Sequence, residues 1–323
     1  MGRFLNPGNE AFSEVIHSEI YVDKTPLLEY TNRVISTTSK FICSSRPRRF
    51  GKSITAEMLS AYYSKGSDSR ELFADYAIHK AESFEKHLNQ YDVIHFDVQW
   101  CMMDAGNADC VVEYINNGIL QELKEKYGEL IPDTVKTVYG AMSYIKAAAG
   151  NKFVVIIDEW DVLIRDEAQN HKVQEEYIDF LRGMFKGSEP SKYIALAYLT
   201  GILPIKKLKT QSALNNFEEF TMLDAGRMAP YVGFTEAEVH DLCDRYGQNY
   251  EQVKSWYDGY SLEGYQVYNP KAVVSLMLNG KYKSYWTNTA SYEAIVPLIN
   301  MNFDGLRAVI IEMMSGAAVD VDV

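Results

Sequence analysis

The sequence predicts an α/β fold: a parallel sheet with helices on both faces, followed by a mainly helical region. Strand-like apolar runs alternate with helix-like segments through roughly the first two hundred residues, the pattern of a sheet built with crossover helices. The strands read as apolar runs and not as clean alternation, as expected when both faces of a parallel sheet are covered. A glycine stands just past each helix-like segment, where a left-handed closing residue is wanted.

Taken in order, strands are expected at Lys40–Ser44, Asp92–Gln99, Lys152–Asp158 and Lys192–Thr200. Helices are expected at Ser53–Lys65, Ala108–Lys126, Asp133–Ala149 and Val173–Lys186, closed by Gly66, Gly128, Gly150 and Gly187. Past residue 205 the character changes. The block Asn215–Leu223 reads equally as a short strand or a turn of helix. Thr235 and Glu238 form a capping box for a helix ending at Gly247. Asn269-Pro270 opens another helix, which Asn279-Gly280 ends. Aromatic residues crowd this half: Trp256, Tyr257, Tyr260, Tyr265, Tyr268, Tyr282, Tyr285 and Trp286. Packing of a helical domain is favoured for them over a stacking platform for bases. The tail Ala317–Val323 alternates like a half-buried strand, which points to a chain cut off or to a terminus joining another domain's sheet. The expected division is an α/β domain over 1–205, a mainly helical domain over 206–310, and the start of a further domain, or a free terminus, over 311–323.

Composition narrows the function classes. With 323 residues and 47% hydrophobic content the chain can bury a large core. Met1–Glu10 lacks the apolar stretch of a secretory signal, and no run of eighteen apolar residues suggests a membrane span. Cys43, Cys101, Cys110 and Cys243 form no C-x-x-C pair, so free thiols in a reducing cytoplasm are expected. The net charge of −12 repels nucleic acid unless a local basic patch offsets it. Two clusters qualify, Arg46/Arg48/Arg49 and Lys206/Lys207/Lys209, the second reading most simply as a solvated loop. Asp92, Asp97 and Asp104 lack a histidine at metal-ligand spacing, and His171 and His240 read as surface residues on helices. No G-x-S-x-G elbow of a serine hydrolase occurs.

The motif that carries chemistry is Ser45–Ser53, S-R-P-R-R-F-G-K-S, lying between the first strand and the first helix. A strand, a tight loop ending Gly-Lys-Ser and a helix form the phosphate cradle of P-loop proteins. Loop N–H groups face phosphate oxygens, the lysine adds a point charge, and the hydroxyl ligates Mg²⁺. Those roles fall on Gly51, Lys52 and Ser53. The full pattern places a glycine where this chain has Arg46, which removes easy access to positive φ. Arg46 and Pro47 can still hold a loop of similar span, with Arg48 or Arg49 adding charge. A second motif, Phe153–Glu159, is an apolar strand ending in two acids, the Walker B form. Asp158 would hold Mg²⁺ and Glu159 would orient and deprotonate the attacking water. Thr200, at the end of the fourth strand, could contact the γ-phosphate or that water, although Thr-Gly after a strand is usually a turn. Asp161 reads as a helix cap in preference to a supporting acid.

These blocks together resemble the bacterial AAA-ATPase-like proteins often fused to a PD-(D/E)XK nuclease-like domain. The resemblance runs through Tyr21–Thr25, Arg46–Ser53, Ile157–Asp161, Leu214–Phe217, Trp256–Tyr260, Val267–Pro270 and Tyr285-Trp286. The R-P-R-R-F-G-K-S form is that family's habit; Trp160 stands where the family often has tyrosine. The resemblance implies a P-loop NTPase-type sheet followed by a winged-helix-like lid. It implies a nucleotide site formed by Arg46, Pro47, Arg48, Arg49, Phe50, Gly51, Lys52 and Ser53, with metal on Ser53 and Asp158 and catalysis by Glu159, Lys52 and Thr200. The expected function is Mg²⁺-dependent ATP binding with slow hydrolysis driving a conformational switch in a bacterial, cytoplasmic protein. No arginine finger can be assigned within the chain, so a neighbouring subunit would supply one. Two alternatives stay open: a non-hydrolysing nucleotide-binding or protein-interaction scaffold, and the regulatory half of a nuclease system. The nuclease's acid-x-lysine motif is not seen, and nuclease activity is not carried over.

Overall fold

The computed structural model describes residues 2–167, 170–205, 214–285, 309, 312–313 and 315–317. Its centre is a five-stranded parallel sheet: β1 (Phe41–Ser45), β2 (Asp92–Asp97), β3 (Phe153–Asp158), β4 (Ile194–Gly201) and β5 (Glu218–Phe220), in the order β2-β3-β4-β1-β5. The undecided block around Asn215–Leu223 therefore supplies a strand, pairing Ile42 with Glu218 and Ser44 with Phe220. It also carries the sheet past the expected division at residue 205.

Alternate residues of each strand face opposite layers. Cys43, Ile94, Phe153, Val155 and Leu199 pack under the helices Val111–Tyr127, Val138–Ala149 and His171–Phe185. Ile42, Val93, Val154, Ile156 and Tyr198 pack under Lys52–Tyr63 and Pro26–Val34. Both faces are covered, which is why the strands read as unbroken apolar runs.

Element ends depart from expectation where a side chain intervenes. The second strand stops at Asp97 because its carboxylate accepts from Trp100 N at 3.1 Å and starts the helix Val98–Asp104. The helix expected from Asp133 begins only at Val138, capped by Thr137. Gly150 (φ 76°) and Gly187 (φ 101°) take the left-handed conformation expected of them. Gly128 (φ −50°) does not, because its helix runs on into a 3-10 turn, and Gly66 follows a helix that has already closed through an extended Ser64.

After β5 the chain builds a smaller layer with its own core: the helices Glu236–Tyr246, Tyr250–Tyr257 and Pro270–Asn279 against an antiparallel sheet of β6 (Phe234–Thr235), β7 (Tyr260–Leu262) and β8 (Tyr265–Tyr268). Helices here pack with a small antiparallel sheet, so this region is not wholly helical. The Thr235–Glu238 capping box and the Asn269 cap both form, and Gly247 and Gly280 close their helices left-handed. Tyr257 and Tyr268 are fully buried, whereas Trp256 and Tyr265 are about half exposed. Trp286, the Lys206–Lys209 cluster and the tail beyond Ala317 lie outside the described residues. Among the described residues no helix is long and apolar enough to cross a membrane.

The N-terminal residues cover the β2 edge: Asn6 N donates to Val93 O at 2.7 Å and His95 N donates to Phe4 O at 2.9 Å. There the fully buried Asp92 accepts from Asn6 and Tyr127 and pairs with Lys65 and Lys126, both at 2.7 Å. Burial raises its carboxyl pKa, but these four partners outweigh burial and hold it below the ordinary range. Asp92 is thus a structural ion centre. Asp92→Ala is expected to cost about 3 kcal/mol by chemical denaturation at pH 7. Because the folded pKa is depressed, the wild-type advantage is present above the ordinary carboxylate range and fades as pH falls through the folded value. An undiminished stability would remove Asp92 from that role.

Candidate active site

The loop joining β1 to the helix Lys52–Tyr63 turns sharply: Arg49 (φ 71°) and Gly51 (φ 86°) are both left-handed. A Cβ on Gly51 would meet nothing within 4 Å, so conformation and not space calls for glycine there. Gly51 is the helix N-cap, which leaves the first N–H groups of the helix without intrahelical acceptors and directed out of its end.

Lys52 is the first residue of that helix, and only 4% of its side chain is exposed. Its Nζ donates to Pro47 O at 3.2 Å and lies 3.8 Å from Glu159 Oε1. Burial lowers its pKa, opposed by the carboxylates of Glu159, Asp158 and Asp161. Asp158 ends β3, in register with Asp97 of β2. Burial pushes its carboxyl up to about 6; the Ser53 hydroxyl works against that shift, and Asp97 and Glu159 add to it. Glu159 itself adopts φ 48°, a conformation costly for a side chain larger than glycine and characteristic of functional turns. The turn sets its carboxylate between Lys52 and Arg165, whose Nη1 donates to Oε2 at 3.4 Å.

A cavity of about 760 Å³ opens over this constellation. One wall is the loop from Arg48 to Ser53, with Glu159 and Asp97 beside it; another is the N-terminal segment, including Val15, Ile20 and Val22. The third comes from the smaller layer: Tyr231, Gly233, Phe234, Lys271 and Val274. Gly233 is left-handed (φ 99°), and a Cβ there would stand 2.5 Å from Val267 within the smaller layer and 3.2 Å from Phe50 of the loop, so conformation and close packing both call for glycine.

Of the residues singled out from sequence, Arg48, Arg49, Phe50, Gly51, Lys52, Ser53 and Glu159 line the cavity, and Asp158 lies directly behind. Arg46 does not join them. Its side chain is fully buried and turns away from the loop, with Nη1 donating to Phe220 O at 2.9 Å and to Ser45 O at 3.0 Å. Burial lowers its pKa to about 10. Pro47 contributes only the carbonyl that holds Lys52. Thr200 is buried behind the cavity wall, and its backbone carbonyl accepts from Trp160 N at 3.1 Å. Asp161 occupies a cap position without capping: Oδ2 accepts from Ile202 N at 3.2 Å and Leu203 N at 2.8 Å, which ties down the loop after β4.

Other participants were not foreseen. Lys24 bonds to Pro230 O at 2.8 Å and pairs with Glu238 at 2.6 Å, joining the N-terminal wall to the capping box of the smaller layer. Only the Tyr21–Thr25 block of the family resemblance marked it, without a role. Glu57, four residues after Ser53, is pushed up to about 7 by burial first, then by Asp158 and Asp97. His95 lies 4.0 Å from it but is lowered to about 4 by burial, so it is neutral there and gives Glu57 no counter-charge at pH 7. Among the described residues no group of three or more His, Cys, Asp or Glu forms a metal cage.

Since the folded pKa of Glu57 is raised, the group weakens the fold as pH rises from its ordinary 4.5 towards 7. Glu57→Gln is therefore expected to melt higher than wild type at pH 8, with the difference closing by pH 4. Thermal unfolding across that range checks it; parallel curves would refute the burial argument.

A family model described as "Predicted AAA-ATPase" matches residues 7–210. A curated relative, "Uncharacterized protein in vnfD 5'region" of Azotobacter chroococcum mcd 1, is 25% identical over 307 residues, which are 90% of this chain and 55% of the relative. The chain thus spans about half the length of that relative. Among solved structures, AMPPCP-bound DnaA from Aquifex aeolicus aligns over 92% of this chain and 68% of its own, at a TM-score of 0.33 and 10% identity, a likeness too slight to bear on function. With the family model covering most of the sheet and both motifs, the chain belongs to the predicted AAA-ATPase family.

Proposed function

We propose that the chain binds ATP with Mg²⁺ and hydrolyses it slowly, the turnover moving the smaller layer against the sheet. The observation that carries this is the meeting of Lys52 and Glu159 on the wall of one cavity, beyond the carboxyl ends of β1 and β3, with Asp158 ending β3 beside them. Family membership supports nucleotide binding; the remainder rests on the chemistry of the residues.

The two ends of the cavity suit the two ends of a nucleotide. Helix N–H groups and Lys52 suit the phosphates, while Val15, Ile20, Val22, Phe234 and Val274 offer apolar surface to base and ribose. The donor set fits a divalent cation, because the Ser53 hydroxyl stands against the Asp158 carboxylate, whose pKa burial has raised, with Asp97 adding to the shift. When bound, Mg²⁺ would offset phosphate charge at that point. Lys52 would exchange Glu159 for the β- and γ-phosphates. Glu159, released from Lys52, would take the proton of the attacking water. Thr200 enters through its backbone, by holding Trp160 beside the Asp158-Glu159 turn. The burial of Arg46 gives the residue that replaces the first glycine a structural role, which supports a working loop over a decayed one.

Calorimetry with ATP and Mg²⁺ is expected to give micromolar binding, about 8 kcal/mol, lost in Lys52→Ala. Glu159→Gln should keep that affinity and lose at least ~100-fold in turnover. Binding by Lys52→Ala as tight as wild type would overturn the site, and unchanged turnover in Glu159→Gln would overturn the base.

A further inference from the structure

Glu159 has two cationic neighbours, and the proposed function occupies only one of them. Lys52 lies 3.8 Å from Oε1 and would be drawn to phosphate. Arg165 faces the other oxygen, its Nη1 3.4 Å from Oε2. Arg165 is the last residue of the short helix Val162–Arg165, one turn beyond the Asp158-Glu159 bend, and 17% of its side chain is exposed. It is held on two further sides: Nη1 also donates to Asp161 Oδ2 at 3.2 Å, and Nε donates to Asp166 Oδ1 at 2.8 Å.

Asp161 gives this arrangement its stiffness. Its side chain is fully buried, and the same Oδ2 accepts the N–H groups of Ile202 and Leu203. Leu203 O in turn accepts from Ser45 Oγ at 3.1 Å, at the end of β1 where the phosphate loop begins. A chain of contacts therefore runs from the Glu159 carboxylate through Arg165 and Asp161 to the loop after β4 and on to the phosphate loop. Arg165 is absent from the cavity wall, so it acts on the bound nucleotide only through Glu159.

We propose that Arg165 is the positioning residue for Glu159: it grips Oε2 and so turns Oε1 toward the cavity once Lys52 has moved to phosphate. This rests on the ATPase reading above. A base on a strained turn with one fixed oxygen is confined to a narrow set of orientations, and an error of about 1 Å at a proton acceptor costs on the order of 100-fold.

The test measures steady-state ATP turnover and calorimetric ATP affinity side by side for wild type, Glu159→Gln, Arg165→Ala and Arg165→Lys. The expected result is a fall in kcat of roughly 30- to 100-fold in Arg165→Ala. KM and ATP affinity should stay within about threefold, since a positioning residue acts in the step and not in binding. Arg165→Lys should recover part of the rate, and low concentrations of guanidinium ion should raise the rate of Arg165→Ala. Should Arg165→Ala fail to fold, Arg165→Gln takes its place. Wild-type turnover in Arg165→Ala, or a rise above it, would overturn the inference while leaving the ATPase intact. A wild type that neither binds nor hydrolyses ATP would overturn the ATPase reading, and the positioning role with it. A loss of affinity equal to the loss of rate would make Arg165 a structural residue only.

Discussion

The contact on which the site depends is the one between Lys52 and Glu159, because it joins two strands that are not neighbours. β4 lies between β1 and β3, so a lysine starting the helix after β1 must reach over the end of β4 to a glutamate on the turn after β3. Only a parallel sheet puts all three carboxyl ends on one side, and only burial of both faces keeps those ends in register. A buried ammonium held by one carbonyl and a carboxylate at 3.8 Å is incompletely satisfied. An anion offering shorter bonds would displace that carboxylate, which makes the lysine a readily drawn ligand for phosphate.

Arg46 shows how the phosphate loop dispenses with its first glycine. The side chain does not crowd the cavity, because it passes inward to the carbonyl of Phe220 on β5. A guanidinium buried without a carboxylate carries a large desolvation cost, visible in its pKa falling to about 10. In return it ties the start of the loop to an edge strand of only three residues, at the point where the chain leaves for the smaller layer. The arginine thus couples phosphate loop and exit strand mechanically, a task glycine could not perform.

Much of this was legible because it depends on local pattern. The four long strands read as apolar runs, Gly-Lys-Ser opens the helix after β1, Asp-Glu falls at a strand end, and the Thr235 and Asn269 caps follow from residue type alone. What escaped depends on contacts between distant parts of the chain. β5 is three residues long and exposed at its start, so no periodicity marks it. The inward turn of Arg46 is set by a carbonyl 174 residues away, and Lys24 meets Glu238 across 214 residues. Asp161 looked like a cap because its position is that of a cap; its partners lie after β4, where no sequence rule places them. Glu57 carried no signal, since its raised pKa comes first from burial and then from carboxylates on two strands brought under one helix.

The cavity also depends on both parts of the chain being present at once. Phe234, Lys271 and Val274 close one side, and they are held there by two devices of different character. Gly233, left-handed and pressed on Val267, also brings the backbone close to Phe50 of the phosphate loop, where a Cβ would stand 3.2 Å from the ring. The Lys24–Glu238 pair fastens the N-terminal wall to the helix that follows, using a carboxylate already engaged by Thr235 N at 2.7 Å. Asp23 secures the other side of that segment, accepting from Thr25 N at 2.8 Å and Ala77 N at 2.9 Å in the sheet layer. Adjacent residues 23 and 24 therefore bind different parts of the molecule. Tyr21, Val22 and Lys24 of that segment line the cavity, so this wall is pinned both to the sheet layer and to the smaller layer.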